Sequence, residues 1–550
     1  MPATDLDRSA ALRRLATETF DVVVIGGGIT GVGVALDAAT RGLSVALVER
    51  DDFASGTSSK SSKLAHGGLR YLQQGEIRLV YEALRERQRL SRNAPHLVRL
   101  LPFAIPVLTK DGVISKKIAR ALGSALWMYD LTGGFRIGKF HRRLDAEATF
   151  AHMPTMPPDK VASGYLYYDA TVDDARLCLT VARTAARHGA AVANRCEVVE
   201  LTKNAEGGNG VVVEADGERF PIAAQVVVSA TGVWADRIGE LDTGADPDSI
   251  RPAKGVHITV PWEKVRNDIA VVIPVPKDKR SLFVVPWGAK ADGTFEHTYI
   301  GTTDTDYSGP LDDPQCTKDD VDYVLAALNH AITTDVTPED ITGTWAGLRP
   351  LVKSASSGRT ADLSRRHRVT VSASGVVSIA GGKLTTYREM ADDTVDEVLE
   401  RLAVPSKARC RTARLKLVGA DGFERPSLDD AASHLAHRFG SMTKDVEALV
   451  SADPSLGEPL VDGLPYLRAE ALYAVREEMA LTLDDVLSRR TRARLLDRDA
   501  SVAAAQAVAE LIAPELGWDA ATVTEQVASY RASCAHEAAA EQRHDADASA

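Results

Sequence analysis

Residues Ser58 to Tyr71 read SSKSSKLAHGGLRY and concentrate groups that bind anions and move protons. No Asp or Glu occurs between Ala54 and Gly75, although the chain carries a formal net charge of −11. Lys60, Lys63, His66 and Arg70 surround the pair Gly67–Gly68, and Ser58, Ser59, Ser61 and Ser62 add hydroxyls able to donate to phosphate oxygens. The Gly-Gly pair followed by a helical pattern argues against a flexible serine linker. Far away in sequence, Arg349 stands beside proline in AGLRPL; like Arg70, it offers a guanidinium suited to bidentate anion binding. The chemistry this set supports is the capture of compact anions next to a titratable imidazole.

The elements that would position these groups begin at Phe20. DVVVI is a short β-branched run that predicts a buried strand, and it leads into Gly26-Gly27-Gly28-Ile29-Thr30-Gly31, which fits GxGxxG. A helical pattern follows, then a second strand, SVALVE, ending on Glu49. Gly26 permits the tight turn, Gly28 lets backbone N–H groups approach a pyrophosphate, and Gly31 lets helix and strand pack closely. Glu49 is suited to accept both hydroxyls of a ribose. Two later strands also run into this kind of junction: QVVVSATG, with Ala230, Thr231 and Gly232, and VVSIAGGKLTTYRE, with Gly381, Gly382, Leu384 and Thr385. One nucleotide fold returning to glycine at three distant points predicts one long cofactor along the sheet, which FAD fits better than NAD. A helix beginning after Gly382 would aim its N-terminus at the flavin, where negative charge appears on reduction.

A chain of 550 residues exceeds one hydrophobic core. The expected fold class is α/β: an FAD-binding Rossmann-like domain with an inserted antiparallel β-sheet substrate domain and a C-terminal all-α cap domain. The FAD-binding domain is expected in three pieces, 20–100, 161–250 and 371–403. The substrate domain takes 101–160 and 251–370, where short β-rich runs are separated by Pro, Gly and charged turns. Residues 404–535 read as helical, and 536–550 as a disordered tail. Five scattered cysteines without a CxxC pair suit a reducing cytoplasm, and no metal site is expected. The acidic balance argues against nucleic-acid binding. The N-terminus has no signal-peptide core, and the apolar run Val22 to Leu36 is too short to span a membrane.

Taken together, SSKSSKLAHGGLRYL, AGLRPL and GGKLTTYRE resemble the FAD-dependent glycerol-3-phosphate dehydrogenases, of the D-amino-acid-oxidase-like flavoprotein superfamily. KGVHI (Lys254 to Ile258), GTTDTDY (Gly301 to Tyr307) and the helical block Arg468 to Ala493 fit the same family, and the likeness runs from about Phe20 to Ala535. It implies oxidation of sn-glycerol 3-phosphate to dihydroxyacetone phosphate, by hydride transfer from C2 to flavin N5, with electrons passed to a quinone. A phosphate monoester carries nearly two negative charges, and by resemblance Arg70, Tyr71 and Arg349 hold it, with Lys383 beside them. The general base is left open among His66, Lys383 and His257. Ser58, Ser59, Ser62 and Lys63 are expected at the cofactor, and no cysteine lies in the flavin-facing motifs, so FAD is expected to be noncovalent.

The stretch Ile114 to Leu131 puts Ile114, Ile118, Leu122 and Leu126 on one helical face near Lys116, Lys117 and Arg120. Such a helix can lie on an anionic bilayer or pack on the substrate domain. A peripheral contact on the cytoplasmic face of the inner membrane and a homodimer are both compatible with the sequence. The competing readings are a glycerol-3-phosphate oxidase that uses O2, an amine or amino-acid oxidase on the same fold, and a non-catalytic nucleotide-binding regulator.

Overall fold

The run DVVVI forms the centre of a parallel sheet, because β-branched residues buried on both faces suit a strand covered on each side. The computed structural model describes residues 5–69, 71, 76–108, 116–203, 209–276, 280–353, 366–403, 408–426 and 433–545, with the side chains of 116–121 and 136 outside that description. Strand Thr19–Ile25 lies parallel to Val45–Val48 on one side and to Glu218–Ser229 on the other, so that Val23 faces both Ala46 and Val227. Ala191–Ala193 and Val377–Ala380 extend the parallel part, and Arg368–Val371 closes one edge antiparallel. Helices Ile29–Thr40, Asp174–Arg187 and Tyr387–Arg401 cover one face, where Val32, Leu36, Val181 and Val395 pack with Val22 and Val24. The other face carries helix Arg8–Thr17 and the ribbon Glu197–Lys203 with Asn209–Ala215. Val22, Val23 and Val24 are fully buried, each contributing about 1.5–3 kcal/mol of transfer free energy.

The second sheet is built around Ile250–Pro261, which pairs antiparallel with Phe295–Gly301 and with Gly343–Val352. Ser281–Ala289 and Ala270–Pro274 continue it, and one parallel pairing joins Ala270–Pro274 to Val98–Leu108. Val161–Val172 and finally Leu64–Ala65 complete the far edge. Leu64 and Ala65 immediately precede His66, so the basic segment leaves the nucleotide fold and is caught by the substrate sheet. Helix Lys318–Ala331 packs on this sheet through Val321, Val324 and Leu328.

Helices Arg468–Glu478, Arg498–Leu516 and Ala520–Ala540 form the main C-terminal core. Of the expected disordered tail, residues 536–545 are corrected here, while 546–550 lie outside the described residues. Residues 532–540 continue the helix that starts at Ala520, and 541–545 are fastened to the substrate sheet. The Ala-rich composition conceals a buried stripe, Val523, Val527, Tyr530 and Cys534, at helical spacing. Past it, Glu541 accepts from Thr344 Oγ1 at 3.0 Å, and Asp545 pairs with the Lys254 ammonium at 3.0 Å. Among the described residues no helix is long and apolar enough to cross a membrane.

The Tyr530 ring is buried and its hydroxyl meets Ser501 Oγ at 2.8 Å. Tyr530→Ala is expected to destabilise the helical domain by about 3 kcal/mol. The check is a lowered Tm together with faster protease cleavage within 520–545.

Candidate functional site

The glycine loop shows why small residues are needed there. A Cβ on Gly31 would lie 1.9 Å from the Gly26 carbonyl oxygen, so only glycine lets the helix approach the strand this closely. Gly26 itself has φ +110°, which L side chains rarely adopt. Helix Ile29–Thr40 begins at Gly28 with no side-chain cap from that residue, while Ile29 N–H donates to Ser58 Oγ at 2.9 Å. Ser58 thus joins the helix N-terminus to the basic segment.

A trough runs along this edge of the sheet, walled by Gly26, Gly28, Glu49, Ser58, Ala230, Thr231, Gly232 and, at its far end, Gly381, Gly382, Lys383 and Leu384. Glu49 closes the near end, accepting N–H donors from Gly27 at 2.6 Å and Asp51 at 2.8 Å. Desolvation pushes its carboxyl up to about 7, against those two hydrogen bonds. These features fit FAD: an open helix N-terminus for the pyrophosphate, a carboxylate for a ribose, and a long cleft between them. Cys196, Arg50 and Trp234 also line the trough, and no motif in the sequence singles them out for this. Burial pushes the Cys196 thiol up to about 12, so it is not a nucleophile at neutral pH.

The trough opens into a second cavity of about 220 Å³, with Ser58, Gly381, Gly382, Lys383 and Leu384 common to both walls. This cavity brings together His66, Tyr71, His257, Arg349, Lys383, Thr385 and Ser62 from four separate stretches of sequence. Arg70 lies outside the described residues. Arg349 points from strand Gly343–Val352, its guanidinium donating to Thr302 Oγ1 and the Thr303 carbonyl at 3.2 Å each and lying 3.3 Å from Asp304. Gly255 makes room for it, since a Cβ there would sit 2.5 Å from Arg349 Nη2. The Lys383 ammonium lies 3.7 Å from the centre of the Tyr71 ring, a cation–π contact that orients both. Thr385 Oγ1 accepts from the His66 N–H at 3.2 Å.

The two histidines differ. Burial pushes the His66 imidazole down to about 4, with Asp169 opposing and Lys383 and Arg87 adding to the fall. Burial, Lys63 and Arg349 hold His257 well below its ordinary value. His257 Nε2 meets Ser62 Oγ at 2.9 Å, and its ring stacks on Trp345 with centroids 4.8 Å apart. Both are therefore neutral at physiological pH.

Two residues expected at the cofactor face elsewhere. Lys63, 3% exposed, turns its ammonium to Asp174 at 3.0 Å and over the Trp345 ring, away from trough and cavity. A buried ammonium takes a buried carboxylate when one is within reach, and Asp174, the first residue of its helix, is there. Ser59 faces a separate polar cavity of about 450 Å³, shared with Arg489, Arg492 and Arg494 of the C-terminal helices. Asp37, Asp392 and Cys410 come within metal-ligand reach of one another, but the Arg41 guanidinium lies 2.6 Å from both carboxylates.

A dinucleotide cradle at the edge of a parallel sheet, opening into a cavity roofed by an antiparallel sheet, defines an FAD-dependent oxidoreductase. The family model described as FAD dependent oxidoreductase matches residues 21–388, and that described as the C-terminal domain of alpha-glycerophosphate oxidase matches 410–523. Glycerol-3-phosphate dehydrogenase 2 of Mycobacterium tuberculosis is 44% identical over 543 residues, covering 96% of this chain and 90% of its own length. The mitochondrial glycerol-3-phosphate dehydrogenase of Arabidopsis thaliana is 37% identical over 560 residues, covering 94% and 86%. Among solved structures, the glycerol-3-phosphate dehydrogenase of Bacillus halodurans complexed with FAD superposes with a TM-score of 0.75 at 29% identity, covering 96% of this chain and 97% of that one. The chain belongs to the FAD-dependent glycerol-3-phosphate dehydrogenase family.

Glu49 gives a test of the cradle. Its folded pKa of about 7 stands above the ordinary 4.5, so folding without cofactor favours the protonated form. The stability this contributes is complete below the ordinary value and is lost as pH rises through the folded one. Glu49→Gln is expected to flatten the decline in Tm of the cofactor-free protein between about pH 5 and 8, and to weaken FAD binding about tenfold or more. Thermal melts across pH and fluorescence titration with FAD check the two parts.

Proposed function

We propose that this enzyme oxidises sn-glycerol 3-phosphate to dihydroxyacetone phosphate with noncovalent FAD and delivers the electrons to a membrane quinone. The observation that carries the reading is the shared cavity: Arg349, Tyr71, Lys383 and His66 line it together, and it shares Lys383 and its glycine neighbours with the FAD trough. A guanidinium held by Thr302, Thr303 and Asp304 is oriented before substrate arrives, which lowers the ordering cost of binding a phosphate. Relatives with 44% and 37% identity carry the name glycerol-3-phosphate dehydrogenase along nearly the whole chain.

In this reading Arg349 and Tyr71 take the phosphate, and Arg70 joins them by family likeness. His66, neutral in the free protein, accepts the proton of the C2 hydroxyl. The arriving phosphate dianion raises its basicity from the depressed value toward neutrality. The Lys383 cation faces the oxygen that gains charge as the proton leaves. His257, tied to Ser62 and stacked on Trp345, orients rather than titrates. FAD, when bound, supplies the acceptor for the hydride that leaves C2 as its carbonyl forms.

For the acceptor, the relevant surface is apolar. Trp127 is 60% exposed and Leu131 is 72% exposed, with Met128, Phe135 and Phe140 close in sequence and Ile77 and Tyr81 on the neighbouring helix Ile77–Asn93. Exposed Arg78, Lys139, Arg142 and Arg143 flank them, a composition that suits an anionic lipid surface. The helix containing this surface also buries Leu122, Leu126 and Tyr129 against the substrate sheet. Of the helical face expected from the sequence, Leu122 and Leu126 pack inward, while Ile114 and the side chain of Ile118 lie outside the described residues; the apolar side chains turned outward are other ones. The reading makes the protein peripheral on the cytoplasmic face of the inner membrane.

Glycerol 3-phosphate is expected to bleach the bound flavin anaerobically, whereas glycerol and glycine are not; absence of bleaching refutes the substrate, and fast peroxide formation on adding oxygen would instead support an oxidase. Arg349→Ala is expected to weaken substrate binding by about 10- to 100-fold, read as Kd from the same titration. His66→Gln is expected to slow flavin reduction by about 10²- to 10⁴-fold with substrate affinity nearly kept, measured by stopped flow. Replacing Trp127, Leu131 and Phe135 together by Ser is expected to abolish co-sedimentation with anionic vesicles while leaving anaerobic bleaching intact.

A further inference from the structure

Behind the reacting centre, three elements converge on one backbone N–H group. Asp169, in strand Val161–Val172, is a buried acid in a strand otherwise rich in apolar and aromatic residues. Its Oδ1 accepts from Gly67 N–H at 3.1 Å, from the Tyr129 hydroxyl at 2.6 Å and from Arg87 Nη1 at 2.6 Å. The Tyr129 oxygen lies 3.0 Å from the same Gly67 nitrogen, so that N–H is shared between carboxylate and phenol. Arg87, from helix Ile77–Asn93, is fully buried and also donates to the Tyr168 carbonyl at 2.7 Å. A charge pair withdrawn this far from water costs desolvation, which only tight, multiply bonded geometry offsets. None of the steps above requires Asp169, Tyr129 or Arg87 to meet the substrate.

The geometry of the turn gives them a role. His66 is anchored on its own N–H by Thr385, and the next N–H, that of Gly67, is anchored by Asp169 and Tyr129 from the other side. Gly67 has no room for a side chain, since a Cβ there would lie 2.5 Å from both Leu84 Cδ2 and the Tyr129 oxygen. Gly68 follows with φ +77° and lies against the Tyr71 ring and the Lys383 ammonium. Any rotation of the Gly67 peptide therefore moves the imidazole on one side and the Tyr71–Lys383 pair on the other. We propose that Asp169, together with the Tyr129 hydroxyl, is a positioning residue that fixes the His66–Gly67 turn in its reactive orientation. Its negative charge also faces His66 together with the Lys383 and Arg87 cations, so the anchor and the local electrostatic balance are set by one group.

The inference rests on the reading of His66 as a residue of the reacting centre, and its test separates the two. Tyr129→Phe removes one oxygen from a buried ring and keeps the packing; Asp169→Asn keeps an acceptor for Gly67 but removes the charge that balances Arg87. Both are examined as FAD-loaded proteins. Hydrogen exchange of a peptide within 62–69 is measured first, then the rate of flavin reduction and the Kd of glycerol 3-phosphate under anaerobic conditions. The expected result for Tyr129→Phe is exchange at least about tenfold faster in that peptide and reduction about tenfold slower, with Kd changed by less than about twofold. Asp169→Asn is expected to show the same pattern more strongly. If Asp169→Asn fails to fold, Tyr129→Phe alone decides. Unchanged exchange, unchanged reduction, or a loss confined to Kd overturns the inference. If the wild-type flavin is not reduced by glycerol 3-phosphate, the functional reading falls, while the exchange arm still reports whether Asp169 and Tyr129 hold the turn.

Discussion

The Asp174 carboxylate holds three parts of the molecule together. It is fully buried at the first turn of helix Asp174–Arg187 and accepts from Ser61 N–H at 2.9 Å, Ser61 Oγ at 2.7 Å, the Lys63 ammonium at 3.0 Å and the Arg492 guanidinium at 2.5 Å. A buried carboxylate is tolerable only when its lone pairs are filled by charge-assisted donors, and here two of those come from domains far apart in sequence. The segment 58–66 is thereby pinned in the middle. Its first part faces the trough through Ser58, and its last part enters the substrate sheet as Leu64–Ala65 and delivers His66 to the cavity. Releasing Asp174 would free a segment that reaches both cavities.

The same logic extends across the seam with the C-terminal helices. Asp52, just past the Glu49 end of the trough, is paired bidentately with Arg490 at 2.6 and 2.8 Å and also with Arg489 at 2.7 Å. Arg176 and Arg183 of helix Asp174–Arg187 both reach Glu478 of helix Arg468–Glu478. These groups are nearly all withdrawn from water, and removing one member of such a pair leaves an uncompensated charge at a cost of about 3–5 kcal/mol. Charge pairs therefore cross the seam in both directions, Arg489 and Arg490 neutralising Asp52 and Arg176 and Arg183 neutralising Glu478, and no described residue of the helical domain lines the trough.

How much of this was legible in the sequence depended on whether local pattern or distant pairing decided the outcome. The strand–loop–helix–strand fingerprint is local: Gly26, Gly28, Gly31 and Glu49 sit where steric and hydrogen-bonding arguments require. His66, Tyr71, His257, Arg349 and Lys383 share one cavity, yet their meeting depends on register between strands far apart, which only the family likeness could suggest. Lys63 turns away from the trough because charge alone does not say which anion a lysine meets; Asp174, more than a hundred residues on, takes its ammonium. Asp169 was missed although it carried a signal, an acid inside a strand whose neighbours are nearly all apolar or aromatic. Residues 536–545 are held because Glu541 and Asp545 find partners, Thr344 and Lys254, that lie far away in sequence.

The fastening of residues 541–545 has a consequence for the order in which the molecule is made. The dinucleotide fingerprint, residues 20–49, is complete in local sequence long before residues 541–545 are made. The strands that carry Lys254 and Thr344, partners of the strand bearing Arg349 or part of it, receive Asp545 and Glu541 only when residues 541–545 have been synthesised. The trough itself waits for Gly381 to Leu384 and for the strands Glu218–Ser229 and Val377–Ala380, so the cradle is completed well after its fingerprint has been made. During translation both walls of the cleft are present before the bracing contacts of the sheet that carries Arg349 can form.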